Sequence, residues 1–178
     1  MRLRLFGSRQ FFTLWITQVL SSIGDWLGFL AIAALAARMG EEASVGLVMS
    51  ARIVPGFFLG AASGVVADRF DRKKVMVYCN IGRAAVLVCL PFVDSIGGLV
   101  LASFVLECLT LLWTPAKEAS VPNLVPADHL TTANSLSIVA AYGTMPLAAG
   151  LFSLLAGVSR WLGGIDALDA LRTNQEGV

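Results

Sequence analysis

Charge is scarce in this sequence. Asp, Glu, Lys and Arg make up 14% of its 178 residues and leave a formal net charge of +1. Soluble domains carry about 25% charged residues, so an ordinary water-exposed enzyme is excluded. The near-neutral balance also excludes a nucleic-acid module, which needs a basic face. Histidine occurs once, as His129, and the three cysteines, Cys79, Cys89 and Cys108, all lie in apolar stretches. An odd number of cysteines in such surroundings predicts buried small hydrophobes rather than a disulfide framework. Nucleophile elbows, phosphate-cradling glycine loops and metal-ligand spacings are missing. No enzyme activity, no cofactor and no metal are therefore expected. Arg2, Arg4 and Arg9 open the chain, but the apolar segment behind them is too long for a signal-peptide core.

What is present is apolar surface: 57% of the residues are hydrophobic and the mean hydropathy is +0.77. These values predict an all-α integral membrane protein in a lipid bilayer. A hydrocarbon core needs about 20 residues per helix, so the length allows roughly five or six spans. Five apolar segments separate cleanly, at about 11–37, 44–66, 75–93, 96–116 and 131–158. Strands are disfavoured because strict alternation is missing. The connections hold Gly40, Glu41 and Glu42, the charged run 68–74, Asp94, and a stretch from Pro115 to Asp128. Residues 1–158 form the expected bundle and residues 159–178 a polar tail, too rich in Asp, Asn and Gln to insert.

Basic residues predict the orientation. Arg2, Arg4, Arg9, Arg69, Arg72, Lys73, Lys74 and Lys117 fall on one side, against Arg38, Arg160 and Arg172 on the other. Positive loops stay in the cytoplasm, which puts the N-terminus inside and the tail outside a plasma membrane. Trp15, Tyr78 and Trp113 then fall near the cytoplasmic ends of spans and Trp161 near the outer end, as interfacial anchors.

Four ionisable side chains lie within the spans: Asp25, Arg52, Arg83 and Glu107. Each costs about 2.5–3.5 kcal/mol to insert unpaired, on the order of 10 kcal/mol for the four. Two acids and two bases at similar depth predict pairing or a shared wet cavity. A structural salt-bridge network is one reading; the other makes Asp25 and Glu107 proton or cation sites, with Arg52 and Arg83 as counter-charges. Helical spacing places Gln18, Ser21, Ser22 and Asp25 on one face, and Ser103, Glu107, Thr110 and Thr114 on another. Hydroxyls on such a stripe can also simply return to their own helix carbonyls. Gly56, Gly60 and Gly64 recur every four residues and form a ridge that lets another helix approach closely. Gly143, Pro146 and Gly150 mark a pliable fifth span, which Pro146 should kink.

The run Gly64-Val65-Val66-Ala67-Asp68-Arg69-Phe70-Asp71-Arg72-Lys73-Lys74 resembles the signature loop between the second and third helices of the major facilitator superfamily. Gly64, Asp68, Arg69, Arg72 and Lys73 match that pattern, and Asp71 replaces a glycine. Ile23 to Trp26, Thr114 to Lys117, Val121 to Pro126 and Ala133 to Leu136 look like its drug- and siderophore-exporting branch, which includes macrolide-efflux-like proteins. The resemblance implies most of the N-terminal six-helix half of a transporter built from two such halves. The 64–74 loop would then be a cytoplasmic gate, with Asp68 latching the first half to a second half that this chain lacks. The implied function is proton-coupled efflux of a small molecule, with truncation expected and no transport by this part alone. The motifs at Met145-Pro146 and Ala149-Gly150, and Glu107 in place of a fourth-helix arginine, depart from the antiporter pattern. A short non-transporting membrane protein that associates through the glycine ridge is the alternative.

Overall fold

A computed structural model describes residues 6–40 and 42–161, apart from the side chains at 42, 61, 62, 66–68 and 159–161. The Asp68 side chain and the polar tail from 162 onward therefore lie outside the described residues. All regular structure among the described residues is helical.

Helix α1 runs over Arg9–Met39 and starts where the Ser8 hydroxyl accepts the Phe11 N–H at 3.0 Å. Before it, Gly7 takes a left-handed φ of 67°, a turn that suits a residue without Cβ. Helix α2 spans Glu42–Arg69 and keeps Pro55 inside it. Helix α3, Arg72–Cys89, is capped by Asp71, whose carboxylate accepts the Lys74 N–H at 3.0 Å. That capping bond gives the aspartate a local role at a position where glycine could only turn the chain. A 3-10 turn at Leu90–Phe92 leads to α4, Ile96–Ser120, capped by Ser95. Further 3-10 turns at Val121–Asn123 and Ala127–His129 precede α5, Leu130–Tyr142, and α6, Met145–Trp161.

Two expectations need correction. The connection expected from Pro115 to Asp128 begins only at Val121: α4 continues through Pro115 to Ser120. One proline removes a single backbone hydrogen bond. Packing along α2 and α3 holds the helix past that point, and Arg72 Nη1 donates to the Ala119 carbonyl at 2.7 Å. The fifth span is also not one helix, since it divides at Gly143–Thr144 into α5 and α6. Pro146 offers no N–H to the Tyr142 carbonyl, and Thr144 Oγ1 donates instead to the Ala140 carbonyl at 3.0 Å.

Among the described residues five segments are long and apolar enough to cross a membrane: Arg9–Met39, Ala43–Gly60, Arg72–Phe92, Ile96–Asn123 and Ala127–Val158. Large apolar side chains face outward along them, including Phe57 at 83% and Phe92 at 80% exposure. Such exposure is untenable in water over so wide a surface and ordinary against lipid. The protein is thus an all-α, multi-pass membrane protein. Helix α4 lies along both α2 and α3, and α1 rests against α2, α5 and α6. Toward one end Ile32, Leu35, Val48, Leu90, Leu99 and Leu106 form a buried apolar cluster. Toward the other, Phe11 packs on Val125 and Ala133, with Phe6 edge-on to Phe12.

Candidate functional site

Between those apolar ends α1 carries its polar face, and the buried charges meet there. Asp25 projects from α1 to Arg83 on α3, with Nη1 2.6 Å from Oδ2. Arg83 is only 4% exposed and donates through Nη2 to Asn80 Oδ1, one turn earlier on the same helix. The Ser21 hydroxyl, one turn before Asp25, reaches the same Asn80 oxygen at 3.2 Å. One amide therefore joins α1 and α3 through two donors. A second pair joins α2 to α4, with Arg52 Nε 3.8 Å from Glu107 Oε2. Arg52 also stacks on Phe29 of α1, 5.4 Å from the ring centre. The Phe29 contact brings the second pair against α1, the helix that carries Asp25.

The four helices thus share one set of alternating charges, held in helices that face lipid elsewhere. Arg52 Nη1, Arg83 Nε and the Ser103 hydroxyl are buried there without a partner. A fully buried polar group without a partner costs about 1–3 kcal/mol. The two guanidinium nitrogens are donors only, so what they lack is an acceptor such as a water or carbonyl oxygen. The Thr110 and Thr114 hydroxyls return to the Leu106 and Thr110 carbonyls, at 3.0 and 2.9 Å. Their place on the stripe is met by their own helix.

Side-chain donors fasten α1 to the backbone of α5. Trp15 Nε1 reaches the Leu136 carbonyl at 2.8 Å, Gln18 Nε2 the Ser137 carbonyl at 3.0 Å, and Trp26 Nε1 the Ala141 carbonyl at 2.8 Å. The last of these lies just ahead of the α5–α6 break. Gln18, expected on the same face as Asp25, thus serves this contact rather than the charge layer.

Gly64, Arg69, Arg72 and Lys73 bracket the turn from α2 to α3, where Arg72 ties the start of α3 to the end of α4. A Cβ at Gly56, Gly60, Gly64 or Gly150 would meet nothing within 4 Å. The glycine ridge therefore faces away from every described part of the chain. At Gly143 a Cβ would sit 2.6 Å from the Val139 carbonyl oxygen, so that glycine is required by its own turn.

Several residues of this region escaped the sequence reading. Asn80, at the i−3 position from Arg83, is a polar residue in an apolar span, and that spacing was the available signal. Phe29 gave none, since an aromatic in a membrane helix is ordinary. Lys117, expected in a connection, stands on α4 because that helix extends to Ser120, and it and Trp113 are buried against the bundle, each at 8% exposure.

The sequence profile of a family described as transmembrane secretion effectors matches residues 3–163. The chain is similar to an uncharacterized MFS-type transporter, YfiS, of Bacillus subtilis, at 36% identity over 71% of this chain and 31% of that protein. It is similar to macrolide efflux protein A of Streptococcus pyogenes at 28% identity, over 91% of this chain and 41% of that one. A second Bacillus subtilis transporter of MFS type, YkuC, matches at 31% identity over 75% of the chain and 32% of its own length. The chain spans about a third to two fifths of these relatives. No solved structure matches it.

Proposed function

Because the chain belongs to the major facilitator superfamily, in its family of transmembrane secretion effectors, we propose that it is the N-terminal part of a macrolide-efflux-like secondary exporter of small molecules. In this reading Asp25 and Glu107 carry the coupling proton or meet a cationic group of the cargo, and Arg52 and Arg83 stabilise the ionised acids. The observation that supports it is the two partly buried ion pairs, Asp25–Arg83 and Arg52–Glu107, which link four helices through groups that can exchange partners. A proton arriving on either acid weakens its hold on the arginine of another helix. Charge movement is thereby coupled to helix contacts, as alternating access requires. The break at Gly143–Thr144 supplies a compliant point beside the carbonyls that anchor α1.

The N-terminus and the 69–73 turn lie on the cytoplasmic side of a bacterial inner membrane, by the excess of Arg and Lys there. The unoccupied ridge of Gly56, Gly60 and Gly64 is the contact face for a C-terminal half, and Asp68 is part of the gate. With one wall of the pathway the chain is inactive alone. Reconstitution tests this: proteoliposomes holding only the 178-residue chain are expected to show no saturable, pH-gradient-driven flux. Saturable flux from the chain alone would overturn the reading of an incomplete pathway.

A further inference from the structure

The charge layer extends beyond the two ion pairs. Trp113 of α4 carries two cations about its indole: Arg83 Cζ at 5.3 Å from the ring centre, and Lys117 Nζ at 5.9 Å. Lys117 stands one turn after Trp113 on the same helix face and is buried to 92%, its exposure being 8%. Among the described residues it has no ion-pair partner. The neighbouring Glu118 is exposed. Its stem packs inside the bundle, and the charge is carried to the face of the indole.

The unmet groups around this indole are all of one kind. Among the described residues Trp113 Nε1 and Arg83 Nε are buried and unpartnered, and the Lys117 ammonium, which no described acid pairs, lies against the same ring. Each is a donor with no acceptor capacity. Among the described residues the charges are unbalanced in the same sense: Asp25 and Glu107 are matched to Arg83 and Arg52, and no acid is paired with Lys117. Water could satisfy donors singly, but only an anion meets the donors and the surplus charge together.

We propose that Trp113, Lys117 and the outer edge of Arg83 form a subsite for an anionic group, a carboxylate by chemical class, on an otherwise apolar cargo. The proposal rests on the transporter reading, whose cargo it describes. Asp25 remains bound to Arg83 Nη1, so the anion adds to that pair without displacing it. The indole supplies an N–H and an apolar edge for the adjoining hydrocarbon, which suits an amphipathic organic acid better than a small inorganic anion.

The test uses the full chain in phosphatidylcholine nanodiscs and follows tryptophan emission. The probes are phenylpropionate, phenylpropanol and phenylpropylamine, which share a skeleton and differ in charge. Phenylpropionate is expected to bind about tenfold more tightly than the alcohol, as a charge-assisted hydrogen bond provides. The amine should bind no better than the alcohol. Lys117→Gln should remove the carboxylate's advantage and Lys117→Arg should keep it. Equal binding of the three probes, preference for the amine, or an unchanged preference in Lys117→Gln would overturn the subsite. None of those results bears on export, because flux by the assembled transporter is measured separately; conversely, absent flux leaves the ranking of the probes intact.

Discussion

The Asp25–Arg83 pair allows a quantitative test of how the buried charges are held. Removing Asp25 strands a guanidinium that is 4% exposed and cannot deprotonate; Asn80 and the Trp113 face are all that remain to it. Removing Arg83 strands a carboxylate whose side chain is 29% exposed and which can discharge itself by taking up a proton. The two single variants should therefore differ. Breaking a buried pair costs about 3–5 kcal/mol, and Asp25→Asn falls at the low end, about 3 kcal/mol, because the amide still offers an acceptor. That is about 6–12 °C in the unfolding midpoint of a chain this size. Arg83→Gln should cost about 1–2 kcal/mol. With both changed, no uncompensated charge remains, and stability should return to within about 1–2 kcal/mol of the parent. Thermal unfolding in nanodiscs, followed by circular dichroism, gives all four corners of the cycle. An Arg83→Gln variant less stable than Asp25→Asn, or strictly additive losses, would refute the reasoning.

Local geometry supports two further predictions. Gly143→Ala should cost about 1–3 kcal/mol by crowding a backbone oxygen, whereas Gly150→Ala, in open space within a helix, should gain about 0.5–1 kcal/mol; unfolding midpoints that move in the same direction would contradict the difference. Asp71→Ala should cost about 1 kcal/mol through loss of the α3 cap and Asp71→Gly only a few tenths, as read by thermal unfolding of both variants.

The fold was legible because lipid imposes a simple rule: every span must be a long apolar helix with its backbone bonds closed internally. The identities of the charged residues were equally visible, since Asp25, Arg52, Arg83 and Glu107 interrupt that apolar background. Which acid meets which base was not, because the choice depends on helix rotation and on Asn80 standing beside Arg83. Pro115 misled, since a proline marks a probable helix end from local sterics while the packing of α4 on α2 and α3 and the Arg72 contact decide otherwise. Lys117 therefore stands on α4 rather than in a connection. The glycine ridge was readable as a close-packing face, but nothing in its spacing reveals that no other described helix packs on it.

The coupling role given to Glu107 is the centre of the account, and one flux measurement tests it most directly. Everted vesicles would carry the chain joined to a C-terminal transporter half, with an acid interior reported by a quenched pH dye. Drugs, siderophores and metabolites would be added in turn, and a transported compound would relieve the quench. Glu107→Gln is expected to abolish this relief while leaving the protein's membrane content unchanged. Undiminished compound-dependent proton release by the Glu107→Gln variant would contradict it.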